Sequence, residues 1–447
     1  MKKSLKKVLS VFAVAALVYA GCHLLTYMLQ DDTASFTRLM MHEFYNQERI
    51  DYLFVGSSLF IDGLDPFLIA EKTGKEVFSA SSAGQPPDVS LALIKEAVSL
   101  YDIEEIFLEI NLIRGERKES FKERSSLTPV YIVSDYLRPS LNKLQLLLNA
   151  SSPSHFVNSF WPARRYWEEI INLKRIDTII QKKSTDKYKN FSYFYVNNGN
   201  DDLFEYRGKS FTINYYSVRN HEFLNRALYT DDNSAYFPFD WIYTYEQVFD
   251  FCEKHKIKLT LISPPISNYE LACVDNYEDY DSAVRSLIKS RNIKYIDFNL
   301  VSNDYYPYIQ TDYMDWHHLN AEGAEHFSSF LADYINNDVP ESAFYASLME
   351  KLRSCPSDYY GIFYQDDYEN KERDFYLISN DPNYFEYKIN FITGSGESIS
   401  LQDYSVNDKI SVPFEMIPDC ELIVYFRPSG SFEEGKNISY KYMEPVY

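Results

Sequence analysis

The chain reads as a doubly wound parallel α/β sheet with a helical insertion, followed by a small β-rich domain. Three observations lead there. Five short apolar runs alternate with helix-like segments, the sequence pattern of strands buried on both faces. That rhythm stops between the third and fourth runs, from Arg114 to about Asp240, which is too long for a loose loop and reads as a cap over a site. After about Pro340 the pattern becomes short β-rich runs separated by Gly, Asp, Asn and Pro, as in a sandwich.

The strand candidates are DYLFVG (51–56), EVFSAS (76–81), EIFLEIN (105–111), IKLTLISPP (257–265) and IKYIDFN (293–299). Between and after them, helices are expected over DVSLALIKEAVSLY (88–101), TYEQVFDFCEKHK (244–256), DYDSAVRSLIKSRN (279–292) and NAEGAEHFSSFLADYI (320–335). The last begins with an Asn able to cap it. Inside the insertion, RRYWEEIINLKRIDTIIQKK is helix-like and KNFSYFYVNNGNDD is an aromatic-rich loop. FYLISN, FEYKINFITGSG, ESISLQ, KISVPF, CELIVYFRPSG and ISYKYM supply the strands of the last domain. The expected boundaries are therefore 1–30 for a leader segment, 31–340 for the α/β domain with its insertion at 114–240, and 341–447 for the β domain.

The leader, MKKSLKKVLSVFAVAALVYAGCHLLTYMLQDD, has four lysines and then no charged residue from Val8 to Gln30. Such a run is long enough to span a hydrocarbon core of about 30 Å. The lysines predict an amino terminus in the cytoplasm and everything after Asp31 outside. A cleaved signal peptide competes, although its apolar core is normally only about 7–15 residues. VYAGC also resembles a lipoprotein box ending at Cys22, with Tyr19 a poor fit and the apolar run continuing past the cysteine. The reading adopted is an uncleaved single-pass anchor in a bacterial cell membrane with an extracytoplasmic domain.

Composition bounds the function. A formal charge of −21, from 44 Lys+Arg against 65 Asp+Glu, disfavours nucleic acid as a partner. With 40 Tyr and 31 Phe, aromatic residues make up 17% of the chain; most serve packing, and some can form platforms for sugar rings. Five cysteines, Cys22, Cys252, Cys273, Cys355 and Cys420, are too few and scattered for a disulfide scaffold or a zinc site. Cys355 and Cys420 are the pair considered for a bond in an exported chain. There is no Gly-rich phosphate loop, and neither a metal nor a cofactor is expected.

The chemistry-bearing stretches lie far apart. VGSSLF ends the first strand with two hydroxyls, Ser57 and Ser58, which are either turn and cap residues or a nucleophile at the carboxyl edge of the sheet. DYMDWHHLNAEGAEHF carries Asp315 and His318 three apart, so one turn of backbone presents a base together with the carboxylate that orients it. Alone, such a pair is ordinary surface or capping structure. A serine brought to it by the sheet would make it catalytic.

VGSSLF after the first strand, ASSAGQP after the second, LEINLIRG after the third and DWHHLNAEG before the last helix resemble, in order, blocks I, II, III and V of the SGNH (GDSL-like) hydrolase family. The likeness spans roughly 45–115 and 240–336. It implies a flavodoxin-like sheet and ester chemistry, with Ser58 as nucleophile, His318 as base and Asp315 as its orienting acid. Gly84 and the Ser58 amide would hold the oxyanion, and Asn111 is the nearest match to the block III asparagine, although EINLIRG lacks the usual Gly-x-Asn-Asp form. His317 competes weakly with His318. Ser57 would be a turn residue bonded to neighbouring backbone.

The anchor, the long insertion and the Gly-Ser-Ser form resemble the membrane-anchored proteins of teichoic acid D-alanylation and polysaccharide O-acetylation. That likeness implies a cell-envelope glycan or teichoic acid substrate and a membrane-bound O-acyltransferase partner. The expectation is a serine esterase or O-acyltransferase. The alternative is a non-catalytic scaffold of a polysaccharide modification or export complex that retains the sheet. Arg164 and Arg165 in FWPARRYW are candidates to meet an anionic polymer, or are solvated charges.

Overall fold

Each of the five apolar runs forms a strand: β1 (Tyr52–Val55), β2 (Val77–Ser79), β3 (Glu105–Glu109), β4 (Lys258–Ser263) and β5 (Lys294–Asp297). All neighbouring pairs are parallel, in the order β2-β1-β3-β4-β5. Side chains alternate between two cores, as a pleated strand requires. Leu53, Val55, Ile106, Leu108, Leu259 and Leu261 enter one apolar cluster, while Phe54, Phe107, Ile262 and Ile296 enter another on the opposite face. Because both faces are buried, these strands read as continuous apolar runs. The chain steps from β1 to β2 on one side and to β3 on the other, so the winding reverses between β1 and β3. Ligands bind open sheets of this kind at the carboxyl end of that crevice.

This computed structural model describes residues 2–110, 120–122, 124, 126–192, 195–197, 203–217, 223–226, 239–274, 277–307, 309–381, 383–417 and 420–441, without the side chains of residues 2–12, 15, 195–197, 203, 223–226, 239 and 441. The principal helices are α1 (Lys2–Leu29), α2 (Ser58–Gly63), α3 (Pro87–Leu100), α4 (Leu173–Ser184), α5 (Phe239–His255), α6 (Tyr277–Ile288) and α7 (Ala321–Ile335). α7 starts where expected, with Asn320 Oδ1 accepting from the amides of Glu322 and Gly323. α1 occupies the leader. The side chains of its first eleven residues lie outside the described set, and among the described residues no helix is long and apolar enough to cross a membrane.

The described parts of the insertion pack on several elements. The helix Leu141–Ala150 packs on α3, with Asn142 donating to the Ala92 carbonyl at 2.8 Å. The stretch expected to be helix-like forms two segments that meet at Asn172, which ends a 3₁₀ segment over Pro162–Ile171 and caps α4 by accepting from the Arg175 amide. Both segments pack on the end of α1 through Ala163, Ile170 and Ile176. A three-stranded antiparallel sheet follows: Tyr195–Asn197, Leu203–Gly208 and Phe211–Ile213.

The C-terminal domain has two four-stranded sheets on a shared core that includes Tyr359, Phe375, Tyr387, Leu422 and Val424. Its strands are β6 (Tyr359–Asp367), β7 (Glu372–Ser379), β8 (Phe385–Ile392), β9 (Ser398–Ser405), β10 (Lys409–Pro413), β11 (Glu421–Pro428) and β12 (Lys436–Lys441), paired antiparallel. The insertion strand Phe223–Arg226 adds to β6 in parallel, so the insertion and the C-terminal domain share a sheet. The considered Cys355–Cys420 disulfide is not formed: the two cysteines are buried in different surroundings. Cys355 accepts from the amide groups of Asn268 and Asn303, whereas Cys420 lies in the β-domain core.

Candidate active site

Gly56 follows the last residue of β1, and the chain turns at once into α2, with Ser57 as its cap and Ser58 as its first residue. The glycine is needed for close approach: a Cβ there would strike the Glu109 carboxylate and come within 2.7 Å of Glu109 Cβ and Phe60 Cδ2. Ser57 Oγ donates to Glu109 Oε1 at 2.6 Å, its amide donates to Oε2 at 2.6 Å, and the same hydroxyl accepts from the Leu59 amide at 3.3 Å. Ser57 is thus a turn residue whose main partner is a side chain on β3, where neighbouring backbone was expected. Burial pushes the Glu109 carboxyl up to about 7, against the opposing pull of the two Ser57 bonds and the charge of His318.

With Ser57 committed to Glu109, Ser58 faces the far loop. Its Oγ lies 2.8 Å from His318 Nε2, and His318 Nδ1 lies 2.8 Å from Asp315 Oδ2. An ionised carboxylate only accepts, so Nδ1 carries the proton and Nε2 is left to accept from the Ser58 hydroxyl. Burial alone would raise the Asp315 carboxyl, but the His318 hydrogen bond, the charges of His318 and His317 and the backbone bond from His317 outweigh it and hold it well below the usual carboxylate range. The arrangement can draw a proton from a hydroxyl while keeping the resulting imidazolium beside a negative charge.

The loop is shaped for this. Asp315 Oδ1 accepts from the amides of His317 and His318 at 2.9 and 2.7 Å, and the Met314 amide donates to the His318 carbonyl at 3.0 Å. The Trp316 carbonyl accepts from the amide and hydroxyl of Ser267, tying the loop to the segment after β4. Trp316 packs against a cluster of Tyr269, Tyr360 and Ile378, joined by Phe363 and Tyr376, so β6 and β7 of the C-terminal domain brace the loop that carries His318. His317 Nδ1 lies 3.8 Å from Oε2 of the buried Glu270 and 3.9 Å from Asp315 Oδ1.

Gly84 sits in the turn after β2 with a left-handed φ of 58°, beside Pro129 of the insertion. That turn is tied to the end of β1, since the Ser82 amide donates to the Gly56 carbonyl at 3.2 Å. Asn111 lies outside the described residues. Of the arginines considered for an anionic polymer, Arg164 is exposed, whereas Arg165 binds both oxygens of Asp135 at 2.7 Å and stacks 4.1 Å over Tyr131, a packing role within the insertion.

Three groups near the triad were not singled out from sequence. Glu109 stood inside an apparently ordinary strand, although a carboxylate at the end of an apolar run is itself a signal. Asp62 follows Ser58 by four, one helical turn on; burial pushes it up to about 6, with the His318 charge and the Thr212 bond pulling down and Asp315 pushing up. Thr212, from the insertion strand Phe211–Ile213, donates its hydroxyl to Asp62, and Ser210 beside it donates to the Ser81 carbonyl at 2.8 Å. Nothing local in the sequence indicates that these insertion residues reach α2. One carboxylate oxygen of Asp315 and one ring nitrogen each of His317 and His318 lie close enough to share an ion, all within 4.8 Å of one another. In this structure, however, His318 Nδ1 and Nε2 already have partners.

A protein-family model matches residues 217–340, less than half of the chain but including Asp315 and His318. None of the curated proteins matches in sequence. Among solved structures, a candidate acylhydrolase from Bacteroides fragilis NCTC 9343 is similar over 66% of this chain and 94% of its own, at 9% identity and a TM-score of 0.30. A candidate platelet activating factor from Streptococcus pneumonia is similar over 72% and 99%, at 12% identity and a TM-score of 0.28. At these TM-scores neither likeness bears on activity, which is read from the geometry of the site alone.

Proposed function

We propose that this protein is an extracytoplasmic, membrane-anchored serine esterase or O-acyltransferase of the SGNH type, acting on acyl groups of a cell-envelope polysaccharide or teichoic acid. The observation that carries the reading is the unbroken chain Ser58 Oγ, His318 Nε2, His318 Nδ1, Asp315 Oδ2, with both links at 2.8 Å. Further support comes from the sheet order, which is that of flavodoxin-like folds, and from the position of Ser58 at the carboxyl end of the β1/β3 crevice.

In this mechanism Ser58 Oγ attacks the acyl carbonyl carbon while its proton passes to His318 Nε2. The tetrahedral oxyanion is held by the Ser58 and Gly84 amides. As the C–O bond to the leaving alcohol breaks, His318 returns the proton to that oxygen and an acyl-Ser58 ester remains. Water or a sugar hydroxyl then attacks, its proton passing through His318 to Ser58. Water makes the protein an esterase; a sugar makes it a transferase, with a membrane-bound O-acyltransferase as the source of acyl groups. A purely structural role for the sheet would not require Ser58 and His318 within hydrogen-bond reach.

A serine-directed phosphonate, mapped by peptide mass, tests the reading. Label on Ser58 is expected. Label on Ser57 would overturn the assignment, and an active protein that takes no label would overturn the mechanism. For topology, protease added to intact cells stripped of their wall should digest the folded domain, and full protection would refute an outside location.

A further inference from the structure

α1 does not leave the anchor region as a bare rod. Leu25, Met28 and Leu29 pack against Trp161, Tyr166, Ile170 and Ile176 of the insertion, Arg175 donates to the Leu29 carbonyl, and Lys183 donates to the Tyr27 carbonyl at 3.0 Å. Beside this joint lie three large apolar side chains without cover: Ile171 is 85% exposed, Leu173 76% and Trp167 42%. The apolar surface continues onto α1 itself, where Val14, Leu17, Val18 and Leu24 are exposed.

Length decides what covers this surface. A span needs about 20 apolar residues at about 1.5 Å each. Counted from Val8, the first residue after the lysines, that reaches Tyr27. The stretch from Val8 to Leu24, before the packed joint begins, is only about 25 Å long at that rise, short of a core of about 30 Å. A bilayer that embraces enough of α1 therefore rises to the level of Leu25–Leu29, where the insertion is already attached.

Resting on the reading of α1 as an anchor, we infer that Trp167, Ile171 and Leu173 sit in the outer interfacial layer of the lipid bilayer beside the emerging helix. Trp belongs at that depth, with its ring in the acyl boundary and its N–H toward headgroups. Arg164 and Lys174, both exposed, flank the patch and suit anionic headgroups, whereas the exposed Glu168 and the half-exposed Glu169, held 3.9 Å from Arg175, do not. The seat fixes the tilt of the domain, which an anchor alone would leave free.

The test uses the full chain reconstituted in phosphatidylcholine and phosphatidylglycerol vesicles containing lipid brominated near the headgroup. Quenching of tryptophan fluorescence is expected, and it should fall to less than half in Trp167→Phe, which keeps an aromatic ring against Trp161. A chain that resists carbonate extraction but shows equal quenching with and without Trp167 would overturn the seat while leaving the anchor standing. Release by carbonate would overturn the anchoring on which the seat depends.

Discussion

Ser57 and Glu109 are joined by two bonds of 2.6 Å, one from the hydroxyl and one from the amide, and this pairing selects between two adjacent serines. The Ser57 hydroxyl proton is held by a buried carboxylate on β3, whereas the Ser58 hydroxyl is offered to an imidazole. Two neighbouring residues with the same side chain thereby acquire different chemistry. Ser58→Ala and His318→Ala should each lower kcat on an activated ester by on the order of a million-fold. Ser57→Ala and His317→Ala should keep most of the activity; Ser57→Ala should lower the unfolding free energy by the loss of a helix cap, about 1 kcal/mol. Equal losses of rate at Ser57 and Ser58 would refute the division of labour.

Glu109 makes stability depend on pH in a definite direction. Its folded value, about 7, lies above the ordinary 4.5, so between these limits the folded chain holds a proton that the unfolded chain releases. Stability from this group therefore declines as pH rises through that window. Glu109→Gln keeps an acceptor for Ser57 and cannot ionise. Urea midpoints measured at pH 5 and pH 8 should differ less in the variant than in the parent, and an unchanged difference would show that Glu109 does not titrate there.

Trp316 links the β domain to the loop that carries His318. Trp316→Ala removes the ring that packs against the Tyr269, Tyr360 and Ile378 cluster but leaves the Asp315 and His318 bonds in place. Misplacement of the imidazole by about 1 Å is expected to cost about 100-fold in kcat, with little change in KM. Circular dichroism should show an intact fold, and full activity in the variant would mean that the β domain does not brace the site.

Gly323, in the first turn of α7, is a packing requirement. A Cβ there would collide with the Asp312 carbonyl and lie 2.8 Å from Leu319 Cδ2, on the loop that presents Asp315 and His318. In an exposed helix Gly→Ala would gain about 1 kcal/mol. Here Gly323→Ala should destabilise instead and reduce activity, as read by denaturant midpoint and ester turnover; a stabilised variant would contradict the close packing of α7 on this loop.

Much of this was legible in the residues alone because it is local. Strands buried on both faces must be apolar throughout, so β1 to β5 stood out as five runs between helices. Asp315 and His318 are three apart, and one turn brings both to the same side, so their pairing needed no knowledge of the rest of the chain. The Asn320 cap and the Gly-Ser-Ser turn were readable for the same reason. What only the tertiary structure decided is long-range. Ser58 and His318 stand 260 positions apart, and only the packing of the sheet and its loops sets them at 2.8 Å. Glu109 resembled any strand-end carboxylate until the parallel register of β1 and β3, which pairs Val55 with Leu108, put it beside Gly56. The hydrogen that serves as Gly56's side chain leaves room there for a carboxylate. That space, created by two strands lying side by side, determines which serine is held and which is free to face the histidine.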